Sequence, residues 1–335
     1  MITRLLRLAL ACGLLTGAAL GAWLHHRHGW PALAALFVAA ATPVLLIVWA
    51  LGIQALFGAW FRRGTHALAD SLPATARAPG PAAEPATGVD EPAPRVRFGA
   101  LRAWLGESLA AVRCFLLTMP WLGERPVASG TNPKRLPVLL VHGYFCNQAV
   151  WRPLARQLAA RGHPVAAVNL EPPLGSIDDY VAQIEQAAAG LLARTGRRQL
   201  ALVGHSMGGL AIRAWLAEHG STRAAALITL GSPHQGTWSA RFGLGRNARQ
   251  MEPESPWLRH LAERETPAIR ARFTVILTVH DGIVMPPALL QLPGARHHAF
   301  AGIGHLQLAQ SARVIDFVAR RLADAGQDGR GPLSP

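Results

Sequence analysis

Lysine is almost missing from this chain. Of its 33 basic side chains only Lys134 is not an arginine, and the arginines are scattered among alanine, glycine and proline with no basic block. A net charge of +14 spread in this way reads first as compositional bias and second as attraction to anionic lipid headgroups; it offers nucleic acid no continuous contact surface. Cysteine is scarce as well. Cys12, Cys114 and Cys146 stand far apart without metal-ligand spacing, which argues against a disulfide framework and a zinc site and fits a reducing compartment. Charge itself is absent from residues 31–61.

What the chain has instead is apolar length. Hydrophobic residues make up 50% and mean hydropathy is +0.21, high for a purely soluble protein. Residues 5–24, interrupted by Arg7, and residues 31–61 each reach the roughly 20 residues that a helix needs to span a bilayer. A cleaved signal peptide is the alternative for the first stretch, but the second long span follows at once, which favours two retained spans over residues 1–63. Arg4 and Arg7 flank one outer end and Arg62 and Arg63 the other, against Arg27 alone in the turn. The positive-inside rule then predicts an inner-membrane hairpin with both ends, and the domain that follows, in the cytoplasm. His25, His26 and His28 are expected to form a hydrated turn rather than a metal site.

Residues 64–97 carry Pro73, Pro79, Pro81, Pro85, Pro92 and Pro94 and few large apolar side chains, so they read as a tether. Over 98–122 the residues Phe98, Leu101, Leu105, Leu109, Val112, Leu116 and Met119 recur at helical spacing, ending at Pro120. This helix is expected either to pack on the domain that follows or to lie on the membrane surface, with Trp104 and Trp121 at headgroup level.

From residue 136 strand and helix patterns alternate: strands at 138–141, 165–170, 200–203, 225–230 and 273–279, and helices at 151–161, 177–195 and after Ser206. Such alternation predicts an α/β fold, a mostly parallel sheet with helices on both faces, over residues 123–325, followed by a disordered tail at 326–335. Sites in such folds lie at the carboxyl ends of the strands. Strand 200–203 runs into Gly204-His205-Ser206-Met207-Gly208-Gly209 and then into a helix, a turn that pushes a serine out of the backbone's shadow. A hydroxyl is a poor nucleophile alone; it needs a base, an acid to orient that base, and oxyanion donors. Asp281 follows the strand at 273–279, and His305 lies in a Gly302-Ile303-Gly304 loop, so chain order and loop placement favour His305 as base over His297 and His298. His142 precedes the serine and is expected to brace its loop, while the N–H groups of Tyr144 and Met207 are the candidate oxyanion donors.

Together the HG loop at 142–143, the GHSMGG elbow, Gly231-Ser232-Pro233-His234-Gln235-Gly236-Thr237, the Asp281-Gly282-Ile283-Val284 turn and GIGH resemble bacterial lipases and esterases of the α/β-hydrolase superfamily. The resemblance covers 136–322 and implies a small cap at 236–272, in which Trp238, Phe242 and Trp257 would line an acyl pocket. It implies a Ser206-His305-Asp281 triad acting on carboxylic, lipid-like esters through an acyl-enzyme, with no cofactor. An acyltransferase using the same residues and a non-catalytic membrane scaffold are the competing expectations.

Overall fold

The computed structural model describes residues 1–71 and 96–328. Most of the expected tether at 64–97 and of the expected tail at 326–335 therefore lies outside the described residues. Two long apolar helices come first, α1 (Ile2–His28) and α2 (Ala32–Ser71). Helix α2 runs past the end expected at residue 63 to Ser71 and stops short of Pro73, whose ring disfavours helix in the residue before it.

The hairpin is held by small residues on α1. A Cβ on Gly17 would clash with the carbonyl oxygen of Ala39 and reach within 2.8 Å of Thr42 Oγ1, and one on Gly13 would touch Pro43 at 3.5 Å. Gly21 is packed as tightly against the backbone of Ala35. Glycine every fourth residue is the device by which apolar helices approach closely where burial from water offers no gain.

Helix α3 (Val96–Val112) continues through a π-helical stretch, Arg113–Thr118, to a last turn at Met119–Leu122. Pro120, expected to end the helix, sits inside it. A proline lacks the N–H that would pair with the carbonyl four residues back, and the indole Nε1 of Trp121 donates to that carbonyl, Leu116 O, at 3.0 Å. The leading leucines of the stripe do not face the α/β domain: Leu101, Leu105 and Leu109 are exposed, whereas Met119 at its end is fully buried in the core. The face that packs inward is the small and polar one, Ala103, Glu107, Ser108, Ala110, Ala111 and Cys114.

Six parallel strands follow: β1 (Val138–Val141), β2 (Val165–Val168), β3 (Leu200–His205), β4 (Ala224–Leu230), β5 (Phe273–Thr278) and β6 (Arg296–Phe300). Their order is β2-β1-β3-β4-β5-β6, which puts the glycine-bounded serine at the end of a central strand. Helices α4 (Arg152–Ala160), α5 (Val181–Thr195) and α6 (Met207–His219) cross between strands, and α7 (Arg246–Gln250), α8 (Pro256–Glu263) and α9 (Pro267–Arg270) lie in the segment between β4 and β5. Helix α10 (Ala312–Asp328) closes the described chain.

Each face of the sheet carries its own core, and alternation within β1 feeds both: Val138 and Leu140 join one cluster, Leu139 and Val141 the other. The first cluster includes α4 and α10, but also Ile2 and Leu6 from α1 and Ala110, Ala111 and Cys114 from α3. Ile2 is 1% exposed, Thr3 meets the buried Asn147, and the amino group of Met1 pairs with Glu171 at 2.6 Å. The start of the apolar hairpin is thus built into the α/β domain.

Candidate active site

The turn after β3 shows the backbone strain that a protruding serine requires. Ser206 has φ 55° and ψ −128°, in the region L side chains seldom adopt. Glycines make that turn possible. A Cβ on Gly204 would come within 2.7 Å of Gly209 N, one on Gly208 would collide with Val141 O, and one on Gly143 would reach 2.8 Å from Ser206 Cβ. The loop carrying Tyr144 therefore lies directly against the serine, and Met207 begins the helix behind it.

Asp281 and His305, 24 residues apart in the chain, meet with Oδ2 and Nδ1 at 2.7 Å. Asp281 is fully buried, and its other oxygen accepts from Ile283 N at 2.8 Å and Val284 N at 2.7 Å, so the carboxylate is fixed before it meets the histidine. A carboxylate only accepts, so Nδ1 of His305 carries the hydrogen and Nε2 is left as the proton acceptor. Burial opposes charge on His305, but the adjacent Asp281 carboxylate, its hydrogen bond and Glu107 outweigh it and raise the pKa above the ordinary 6.5.

Two neighbouring histidines hold the site without sharing its chemistry. His205 Nε2 donates to the carbonyl of His305 at 3.1 Å, and the two rings pack with centroids 4.9 Å apart. Burial, helped by the nearby His305, pushes His205 down to about 3, so it stays neutral. His142 braces its loop as expected, accepting from Leu170 N at 3.0 Å on Nε2, and burial lowers its pKa to about 4. His297 accepts from Leu292 N at 3.1 Å and His298 stacks on Phe317 at 4.0 Å; of the three candidate bases only His305 reaches Asp281. Gly231, at φ 58°, leaves room for that ring: a Cβ there would lie 3.1 Å from His305 Nδ1.

The aromatic residues of the segment between β4 and β5 are arranged differently from the acyl pocket expected of them. Trp238 carries the Arg241 guanidinium 3.9 Å above its ring, Phe242 is 89% exposed, and Trp257 Nε1 donates to Asp178 at 2.9 Å. A cavity of about 120 Å³ reaches His305 from another side, and none of the three lines it. Its walls include Leu51 and Gln54 from α2 and Ala103, Trp104 and Glu107 from α3.

Glu107 escaped sequence reasoning. Its signal was there, a lone acid in a helix apolar enough to cross a membrane, where an ionisable group is costly and marks function by default. Among the described residues no group of three potential ligands could hold a metal ion.

A family model of the α/β-hydrolase fold matches residues 137–261. A triacylglycerol lipase of Burkholderia plantarii is 30% identical over 154 residues, covering 39% of this chain and 42% of the relative. One of Pseudarthrobacter phenanthrenivorans is 33% identical over 120 residues, 32% of this chain and 36% of its own length. The chain thus spans less than half of each of these curated relatives. Among solved structures, mature Bacillus licheniformis lipase BlEst2 superposes with a TM-score of 0.51 at 17% identity, over 60% of this chain and 96% of that one. Strand order, elbow and the family-model match over residues 137–261 agree on an α/β-hydrolase fold, and the chain is similar over part of its length to these lipases.

Proposed function

We propose that this protein is a membrane-anchored serine hydrolase cleaving carboxylic, lipid-like esters. The observation that carries the reading is the buried Asp281–His305 pair at 2.7 Å, its histidine packed on His205, the residue before a serine held on a strained turn. His305 Nε2 takes the proton of Ser206, Oγ attacks the ester carbonyl, and the Tyr144 and Met207 N–H groups hold the oxyanion. Asp281 steadies the imidazolium, which returns its proton to the leaving alcohol; water then releases the acyl group by the same route.

The lipid character of the substrate rests on where the site lies. The cavity beside His305 is walled by Leu51 and Gln54, at the end of the apolar stretch Ala32–Gln54. An ester drawn from the bilayer would reach the base without crossing water. Both outer ends of the hairpin touch the catalytic domain, Ile2 in its core and Leu51 packed against that core, which suits an inner-membrane hairpin with the domain on the arginine-rich cytoplasmic side. The exposed leucine stripe of α3 suits contact with the same membrane.

A fluorophosphonate probe tests the chemistry directly. The intact protein in detergent should be labelled, and Ser206→Ala should not. An unlabelled intact protein would sink the hydrolase reading in favour of a scaffold that binds without turnover.

A further inference from the structure

The carboxylate of Glu107 is spent on the loop that bears the catalytic histidine. Oε1 accepts from Leu306 N at 2.8 Å and Oε2 from Gln307 N at 3.0 Å, the two residues immediately after His305. The approach is tight on both sides. A Cβ on Gly304 would lie 2.9 Å from Glu107 Cδ, and one on Gly106 would run into the Gln307 side-chain amide. Gln307 Oε1 in turn accepts from Gly304 N at 3.1 Å, so the backbone before and after His305 is tied to one turn of α3. Helix α3 lies outside residues 137–261, the stretch that matches the hydrolase family.

A loop rich in glycine has little stiffness of its own, and residues 302 and 304 are both glycine. Asp281 fixes one ring nitrogen and His205 the carbonyl oxygen, but neither restrains the two N–H groups that follow. Among the described residues only Glu107 does so; burial raises its pKa, and nearby His305 and the two backbone donors oppose that rise.

We infer that Glu107 is a positioning residue of the hydrolase site, through which the helix between the membrane hairpin and the catalytic domain holds the His305 loop in its working geometry. The inference rests on His305 being the base. It makes docking of α3 a condition of full activity, so a helix that precedes the first strand of the sheet completes the site.

The test uses the full chain in detergent, with a soluble short-chain p-nitrophenyl ester, and follows kcat, KM and the pH profile of kcat/KM. Glu107→Ala should lower kcat by roughly 10–100-fold with KM little changed, since a misplaced catalytic group costs turnover before binding. Glu107→Gln keeps the shape and one acceptor oxygen, so it should recover most of kcat. It removes a negative charge that favours the protonated imidazole, and the acid limb of its profile should therefore move to lower pH. Should Glu107→Ala fail to fold, Glu107→Gln still decides: wild-type kcat with an unmoved acid limb makes Glu107 a packing residue and overturns the inference. Ser206→Ala run alongside separates the failures, because full activity there removes the hydrolase reading itself.

Discussion

At the scale of single residues, Ser206→Ala should reduce ester turnover by about 10⁴-fold or more, because nucleophile, base and acid act as a unit. Asp281→Asn should lose less, since its part is to orient and steady the base. The pH dependence follows from His305. Its pKa lies above 6.5, the working form is neutral, and kcat/KM should fall as pH drops through that raised value; an acid limb below 6.5 would show that another group titrates. These three residues were legible because each follows a strand end in a recognisable local pattern. Glu107, His205 and Gly231 were not, for their roles are set by what approaches them in space: a backbone N–H 199 residues away, the backbone carbonyl of His305, a histidine lying against a bare Cα.

At the scale of elements, five of the six parallel strands were readable as short apolar runs, with ends that moved by two residues at most, whereas β6, which opens on Arg296, His297 and His298, is not such a run. The faces of α3 were not. Its leucines fitted a packed stripe or a membrane-facing one equally, and it is Gly106, the alanines and Glu107 that make the contacts, because helices approach closely where side chains are small. The same logic governs the hairpin. Gly17→Leu would force α1 off Ala39 and Thr42, and overpacking of this kind costs about 1–3 kcal/mol. A lower thermal midpoint in detergent is the expected outcome; an unchanged one would mean that α1 and α2 do not pack along these glycines. Gly13→Ala, where the nearest atom lies at 3.5 Å, should be tolerated.

At the scale of the molecule, arginines Arg4, Arg7, Arg62 and Arg63 flank the hairpin's outer ends and the predicted arrangement keeps the hydrolase in the cytoplasm. Protease added to spheroplasts should leave the segment 73–94 intact until the membrane is permeabilised, and digestion in intact spheroplasts would reverse the orientation. The junction of Ile2 with the catalytic core has a further meaning for biogenesis. Ile2 and Leu322 belong to one hydrophobic cluster, so nearly the whole chain separates two residues that must meet. In the proposed anchoring the first helix enters the bilayer soon after it leaves the ribosome, while α10 emerges long after it. Contacts of such sequence separation are slow to form because the chain between them must first be ordered. With the hairpin anchored as proposed, the α/β core closes only after translation of α10, around a helix already lodged in lipid, and the site becomes competent at the membrane.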